Sequence, residues 1–328
     1  MNNRIIAFRQ IVVLALLALT ALYAALSLGS VTLGPVEILE ALTGSGSNAH
    51  HMLVNDLRMP RALAAFATGG LLACAGVLIQ VLLRNPLADP YILGVSGGAS
   101  VGALLAMLAG AGTALTGSAA FTGAFFSTLL VFTLAHGPGG WTPTRLLLTG
   151  IVIAAGWGAI ISLLLTIGPD GSLRGMLYWL MGDLSYASHF NIALAVLVLG
   201  VLLIFPFARQ LNLLARGENQ ARLLGVSVRP LTIGIYFVAS LFTATAVMHG
   251  GNIGFVGLVV PHMLRLTGGS DHRLLIPGSA LAGGALLVAA DTLARTLAAP
   301  RQLPVGVVTA LIGVPLFLYL LTRTRGKL

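Results

Sequence analysis

Ten long runs of uncharged and mostly apolar residues constrain the fold of this sequence more than any other feature. A helix needs about 20 such residues to cross the hydrocarbon core of a bilayer. The runs occur at about 10–30, 62–83, 91–110, 118–135, 146–168, 190–207, 231–248, 253–264, 275–294 and 305–322. The sequence therefore predicts an all-α polytopic membrane protein with about ten transmembrane helices.

The first and the eighth runs each allow an alternative interpretation. The eighth is short and contains Gly254, Gly257 and Pro261, so nine spans plus a re-entrant segment is the alternative to ten spans. The first follows Arg4 and Arg9 as a secretory signal would, but further membrane segments come after it. We interpret the first run as a retained membrane anchor.

The composition excludes a soluble globular domain. The chain is 57% apolar and 8% charged, whereas soluble domains are about 45–50% apolar and about 25% charged. A transmembrane β-barrel is excluded as well, because barrel strands alternate polar and apolar residues and these runs are apolar on all sides. No soluble domain interrupts the runs, so residues 1–328 are predicted to form one transmembrane domain.

The formal net charge of +9 reflects membrane topology. With the N-terminus inside and ten spans, thirteen of the 18 basic residues fall on the inner side. The other five fall outside: Arg58, Arg61, Arg174, Arg295 and Arg301. This bias predicts that both termini are cytoplasmic, and it leaves no reason to infer nucleic-acid binding.

Three polar segments lie between the spans, at 31–61 and 169–189 outside and at 208–230 inside. The inner segment predicts two short helices, which Gly217 and Gly225 can end. Their apolar residues are Leu211, Leu214 and Ala215 in the first helix and Ala221, Leu223 and Leu224 in the second. The pattern fits an amphipathic interfacial segment and, equally, a docking surface for a soluble protein.

A short corner separates the second span from the third. Pro86 and Pro90 end one helix and start the next, and Asp89 can either cap the new helix or pair with Arg84. The corner runs into Gly94–Gly98, which matches the G-x-S-x-G pattern of serine hydrolases. That match raises the alternative of an intramembrane serine protease.

In the protease alternative Ser96 is the nucleophile and His262 is the only histidine at a suitable depth. A nucleophile elbow needs a strand-to-helix turn, which a helical bundle lacks. Short glycine–serine patterns also arise easily in membrane helices, where small residues allow close packing. We therefore favour packing for Ser96 over catalysis.

Neither a metal site nor a cofactor is expected. Cys74 is the only cysteine, and His50–His51 is the only close histidine pair. The only lysine is Lys327 in the tail, so the chain has no phosphate-binding loop for ATP. Asp291 is the only carboxylate near a span, and Arg295 lies one helical turn later on the same face. An ion-coupled exporter is therefore disfavoured, and energy for uphill transport would come from a partner.

Four runs carry a family resemblance, in this order along the chain: LRMPRALAAFATGGLLACAGVLIQVLLRNPLADPYILGVSGGAS, YWLMGDLS, LNLLARGENQARLLGVSV and GNIGFVGLVVPHMLRLTGGSDHRLLIPGSALAGGALLVAADTLARTLAAPRQLPVGVVTALIGVPLFLYLL. They resemble the iron-chelate, haem and vitamin B12 (FecCD-like) permeases of ATP-binding cassette importers, over about 57–328. The resemblance implies a type II importer permease in the bacterial inner membrane that forms a homodimer. Two cytoplasmic ATPases and a periplasmic substrate-binding protein would be its partners, and no covalent chemistry would occur in this chain.

The resemblance also implies roles for particular residues. The segment 208–230 would contact the ATPase, with matching positions Leu213, Leu214, Arg216, Gly217, Glu218, Ala221, Leu224 and Gly225. The binding protein would dock on Arg58, Arg61 and Arg295, although the bare sequence would let Arg58 and Arg61 simply reach the membrane interface. An inner gate would involve Thr142, Pro143 and Thr144, by position alone.

The cargo is predicted from one residue, Arg174 in DGSLRGMLYWLMG. A charged residue near the outer end of a pathway helix is costly unless it is paired or hydrated. Arginines from two subunits could meet the two propionates of haem, whereas pairing of Arg174 with Asp170 is the alternative explanation. We predict haem first, cobalamin second and a ferric siderophore third.

Overall fold

The computed structural model describes residues 2–137, 140–185 and 190–324, and these residues form a helical bundle. Its α-helices are α1 Asn2–Ser27, α2 Pro35–Thr43, α3 Asn48–His51, α4 Met59–Leu82, α5 Val95–Leu108, α6 Thr113–Leu134, α7 Pro143–Ile167, α8 Asp170–Leu180, α9 Phe190–Ile204, α10 Ala208–Ala215, α11 Glu218–Leu223, α12 Val228–Gly250, α13 Val256–Gly268, α14 His272–Thr296 and α15 Val305–Thr324. Two 3-10 turns, Pro90–Leu93 and Phe205–Phe207, and a π-helical turn, Met52–Arg58, complete the described elements.

Each of the ten predicted spans coincides with a helix, so the all-α prediction is confirmed. By length and composition, seven helices of the described chain could cross a membrane, and Val95–Leu108 and Val305–Leu320 are shorter apolar helices. The eighth predicted span is α13, which has 13 residues and contains Pro261. A helix of that length rises about 20 Å, which is less than the roughly 30 Å of hydrocarbon that a full span must cross.

The second span begins earlier than the sequence predicts. Helix continues without a break from Asn48 to Leu82, because the π-helical turn Met52–Arg58 joins α3 to α4. Pro60 lies in the first turn of α4 and would clash with the preceding carbonyl groups of a regular helix. The wider π-helical turn accommodates the proline. The end of the polar segment 31–61 is therefore helical and continues directly into α4.

Helix α4 forms the centre of the bundle, and α14, α12, α13, α9 and α1 pack around it. Glycine makes this packing possible. A Cβ atom on Gly69 would lie 2.2 Å from the carbonyl oxygen of Gly283, and one on Gly76 would lie 1.8 Å from that of Gly257. Backbone therefore touches backbone at both crossings, which is how small residues stabilise helix pairs in membranes.

Helix α7 differs from α4 in having few buried residues. Only Leu146, Gly150 and Leu164 are buried in it. The space beside Gly156 and Gly158 is open in the described chain. This apolar face of α7 is available to lipid or to another subunit.

The connections meet at two opposite ends of the bundle, which we name after the predicted topology. The inner end contains the α4–α5 corner, the segment 208–230 and the α13–α14 loop, which are joined by Arg84 with Glu218 and by Asn212 with Asp271. The outer end contains the last turn of α1, the first turn of α4 and the last turns of α14.

Candidate coupling and docking surfaces

The segment 208–230, here called the coupling segment, contains the two short helices predicted from the sequence, α10 and α11. Gly217 separates them with a φ of 124°, and Gly225 follows α11 with a φ of 82°. Both values lie in the region that favours glycine, because a side chain there would clash with the backbone. The two glycines therefore fix where each short helix ends.

Buried side chains hold the coupling segment against the bundle. Leu211, Leu214 and Ala221 are all buried. Asn212 also ties α10 to the start of α14: its Nδ2 donates to Asp271 Oδ1 over 2.8 Å. Its Oδ1 accepts from the backbone amide of His272 over 2.9 Å. Ala215, predicted to lie on the same face as Leu211 and Leu214, is exposed.

An ion pair ties the second helix to the α4–α5 corner. Arg84 Nη2 lies 2.9 Å from Glu218 Oε1, and Arg222 Nη2 lies 3.5 Å from the other oxygen of the same carboxylate. Of the two roles predicted for Asp89, capping is the one observed, since its Oδ1 accepts from the amide of Tyr91 over 2.8 Å. Arg84 is paired across the inner end instead, with a residue far away in sequence.

Two carboxyl groups at the inner end have opposite pKa shifts. Burial raises the pKa of Asp89 to about 6, although the hydrogen bond from Tyr91 acts to lower it. Burial also acts to raise the pKa of Asp271, but hydrogen bonds from Asn212 and the Arg273 amide, with the Arg273 charge, bring it below its ordinary value. Asp271 is thus an ionised anchor for the coupling segment at neutral pH.

Two leucines project from the coupling segment into solvent. Leu223 is 87% exposed and Leu224 is 64% exposed. Adjacent apolar side chains so exposed at the end of a bundle indicate a protein contact surface. Leu223 was not among the predicted contact positions, although the short helix pattern had included it as an apolar residue.

The eight predicted contact positions divide into three groups by exposure. Leu214 and Ala221 are buried and contact the bundle, and Leu213, Gly217 and Glu218 are half-buried. The exposed positions are Arg216, Leu224 and Gly225.

At the outer end, Arg58 is 4% exposed and makes only internal contacts among the described residues. Its Nη1 donates to the carbonyl oxygens of Leu26 over 2.5 Å and Ser27 over 3.1 Å, and its Nη2 donates to that of Val31. A cation there serves carbonyl groups at the end of α1 and in the following loop, of which Ser27 O also accepts from the amide of Leu33. Interfacial exposure, the simplest interpretation of the sequence, does not describe this residue.

Arg61 and Arg295 share the buried carboxylate of Asp291. Arg61 Nη2 lies 2.8 Å from Asp291 Oδ1, and its Nε lies 3.0 Å from Oδ2, so the contact is bidentate. Arg295 Nε lies 3.2 Å from Oδ2, which confirms the predicted pairing of Asp291 with Arg295. Arg61 Nη1 also donates to Gln302 Oε1 over 2.9 Å. Sequence spacing did not indicate that Arg61 joins this cluster.

One cavity of about 900 Å³ at the outer end is lined by Arg58, Arg61 and Arg295. Asp56 is a further charged residue of its wall. The cavity is open to the surface and is bordered by the α1–α2 loop and by residues 299–302. Such a recess with excess positive charge suits an acidic protein surface.

The remaining predicted site residues lie apart from these two surfaces. Arg174 is exposed on α8, with its guanidinium carbon 5.7 Å from the centre of the Tyr178 ring. Within the described chain it makes no ion pair with Asp170. Thr142 caps α7 by accepting from the amide of Arg145, and Pro143 is the first residue of that helix. Thr144 is exposed beside them.

Ser96 lies in the first turn of α5 and is half-buried. No hydrogen bond joins it to His262 among the residues that the structure describes; the His262 ring packs edge-on against Phe317, with centroids 5.9 Å apart. No three His, Cys, Asp or Glu residues of the described ranges are grouped so that they could hold a metal ion. Cys74 is buried and its thiol faces the carbonyl oxygen of Ile276.

Long apolar helices, with a basic recess at one end of the bundle and two exposed leucines at the other, fit the membrane-spanning subunit of a transporter. The chain belongs to the FecCD transport family, because the sequence profile of that family matches residues 16–323. It is thus a multi-pass membrane protein and a permease subunit of an ATP-binding cassette transporter, and it is not itself catalytic. The family imports haem, cobalamin or ferric siderophores.

Two relatives and one solved structure illustrate the similarity. The chain is 40% identical over 312 residues to the hemin transport system permease of Yersinia pestis, covering 92% of this chain and 93% of the relative. It is 44% identical over 274 residues to the cobalamin import system permease of Halobacterium salinarum, covering 82% and 73%. A solved inward-facing conformation of a metal-chelate type transporter superposes with a TM-score of 0.86 at 29% identity, covering 95% and 98%.

Proposed function

We propose that two copies of this chain form the translocation pathway of a bacterial inner-membrane importer with both termini in the cytoplasm. ATPase subunits would drive it through the coupling segment, and a periplasmic binding protein would deliver cargo at the outer end. The observation that carries this proposal is the coupling segment itself. It exposes Leu223 and Leu224 while Asn212 and Glu218 anchor it to α14 and to the α4–α5 corner.

The anchoring contacts support a mechanism for transmission. ATP binding can shift the permease between outward-open and inward-open forms only if it favours one of them. A displaced coupling segment would move the start of α14 and the end of α4 with it, because hydrogen bonds join it to Asp271 and His272 and an ion pair joins it to Arg84. The gate predicted at Thr142, Pro143 and Thr144 lies at the start of α7, and the open face of that helix is our candidate for the homodimer contact.

Copurification tests the ATPase contact. Leu223→Glu with Leu224→Glu should abolish recovery of the ATPase with the permease, since the charges would disrupt an apolar contact. Leu223→Met with Leu224→Met is the matched control and should retain the ATPase. Equal ATPase recovery with both pairs of variants would contradict the proposed contact.

To dock at the outer end, the binding protein must compete with Asp291 for Arg61 and Arg295. A carboxylate from the partner can reach Arg61 or Arg295 by sharing their donors with Asp291, and bidentate pairing gives such contacts strength and orientation. Arg58 would have to release the carbonyl groups of α1 before it could take part. We therefore propose that Arg61, with Arg295, dominates docking, and that Arg61→Gln weakens binding-protein affinity more than Arg301→Gln does.

We propose haem as the cargo, with cobalamin and then a ferric siderophore as the alternatives. The support is Arg174, an exposed cation beside Tyr178 that forms no ion pair within the described chain. Two such cations in a dimer would suit the propionates of haem. The test is ATP hydrolysis by the reconstituted importer with binding protein loaded with haem, cobalamin or a ferric siderophore. Haem uptake unaffected by Arg174→Ala would remove this support.

A further inference from the structure

The inner end contains a cavity of about 510 Å³ between the α4–α5 corner, the coupling segment and the α13–α14 loop. Its wall contains the arginines Arg84, Arg216 and Arg265, together with His272, and one carboxylate, Asp271. The cavity is separate from the exposed pair Leu223 and Leu224. Arg216 is also a predicted ATPase contact position, and Arg84 and Asp271 anchor the coupling segment, but no ligand has been assigned to the cavity itself.

The positive charge of this cavity is only partly balanced. Arg84 is paired with Glu218, whereas no carboxylate of the described chain lies within 4 Å of Arg216 or Arg265. Asp271 Oδ1 accepts from Asn212 and, over 3.0 Å, from the amide of Arg273, so Asp271 is engaged in capping α14.

Arg265 is the least compensated of these cations. It is half-buried, and its one hydrogen-bond partner in the described chain is the neutral amide oxygen Gln80 Oε1. A guanidinium removed from water is costly without an anion, and its planar set of donors matches the oxygens of a phosphate group. The remaining donors of Arg265 can serve a ligand in the cavity, where Arg216 offers a second guanidinium.

The position of the cavity indicates the source of such an anion. It lies where the apolar helices α4 and α13 end, and the predicted topology puts these helix ends at the cytoplasmic membrane surface. Basic recesses between helix ends at the cytoplasmic surface bind the headgroups of anionic lipids. We propose that this cavity binds the phosphate group of an anionic phospholipid through Arg265 and Arg216. The lipid would fill the space between the coupling segment and the bundle, and its binding does not depend on the proposed ATPase contact or cargo.

Lipid retention by the full chain tests this proposal. The protein is reconstituted in phosphatidylcholine nanodiscs containing some phosphatidylglycerol, then stripped in mild detergent, and the retained lipid is measured by mass spectrometry. Wild type should retain phosphatidylglycerol over phosphatidylcholine. Arg265→Gln should lower that retention about tenfold, because it removes charged hydrogen bonds. Arg273→Gln, an exposed arginine of the same end outside the cavity wall, should match wild type.

If Arg265→Gln does not fold, Ser270→Glu is a second variant that tests lipid binding by the cavity. Ser270 is an exposed residue of the cavity wall, so Ser270→Glu leaves packing intact and adds a carboxylate that competes for the arginines. It should also lose phosphatidylglycerol. Wild-type retention in Ser270→Glu, or no preference for phosphatidylglycerol in wild type, overturns the proposal. Inorganic phosphate could raise the unfolding midpoint of lipid-free protein while phosphatidylglycerol is not retained. That result would show that the cavity binds free phosphate and would overturn the proposal of a lipid ligand.

Discussion

The two ends of this permease use arginine in opposite ways. At the outer end, Arg58, Arg61 and Arg295 all have internal acceptors, namely the carbonyl groups of α1 and the carboxylate of Asp291. At the inner end, Arg216 and Arg265 have no carboxylate within ion-pair distance in the described chain, and two leucines project into solvent. These outer arginines are therefore already paired within the chain, so a partner protein must compete for them. At the inner end, the two arginines and the two leucines are free to contact a partner. Loss of the outer ion cluster should lower stability, whereas loss of the inner contacts of the coupling segment should mainly affect transport.

The largest expected effect on stability comes from removing the outer carboxylate. Asp291→Ala leaves Arg61 and Arg295 close together and without their anion, and breaking a buried ion pair in this way costs about 3–5 kcal/mol. The thermal unfolding midpoint in detergent should fall sharply. Asp170→Ala, which removes an exposed carboxylate outside this cluster, is the control. Equal midpoints for the two variants would show that the cluster is not structural.

Arg58→Met should have the next largest effect. It leaves the carbonyl oxygens of Leu26 and Val31 without their donor, while that of Ser27 keeps the amide of Leu33, and the expected loss is about 2 kcal/mol. Arg301→Met, at an exposed position of the same end, is the matched control for lost charge. A stable Arg58→Met that instead loses binding-protein affinity would show that Arg58 serves docking rather than α1.

Asp89→Asn tests the half-buried carboxyl group at the inner end, which forms no ion pair among the residues that the structure describes. Its pKa of about 6 lies above the ordinary value of 3.8, so the folded state holds the proton more tightly and stability falls as pH rises between these values. The asparagine keeps an acceptor for Tyr91 and cannot ionise. At pH 7.5 it should be more stable by roughly 1–3 kcal/mol, and the difference should vanish below about pH 4. A pH-independent difference would rule out this explanation.

Glu218→Gln should have the smallest effect on stability. Arg84 and Glu218 are each about one third exposed, so water screens the pair and its loss costs about 0.5 kcal/mol. We expect the unfolding midpoint to stay near that of wild type while transport declines. A large fall in the midpoint would show that the Arg84–Glu218 pair stabilises the fold, as the ion pairs of the outer end do.

How much could be predicted from the sequence depends on the distance between partners along the chain. The ten apolar helices follow from the apolar runs, the two coupling helices from their glycines, and the Asp291–Arg295 pair from helical spacing. The contact of Arg61 with Asp291 joins residues 230 positions apart, and no local pattern indicates it. The sequence likewise suggested Asp89 as a partner for Arg84 because the two residues are close along the chain. In the structure Arg84 pairs with Glu218, which is 134 positions away.

The central claim is that the coupling segment transmits the movement of the ATPase because it is anchored to the bundle. The most direct measurement is cargo taken up per ATP hydrolysed in proteoliposomes, for Glu218→Gln combined with Asn212→Ala. The ATPase contact residues Leu223 and Leu224 remain in this variant, so we predict that ATP hydrolysis continues while cargo uptake per ATP falls several-fold. Unchanged uptake per ATP would contradict the account.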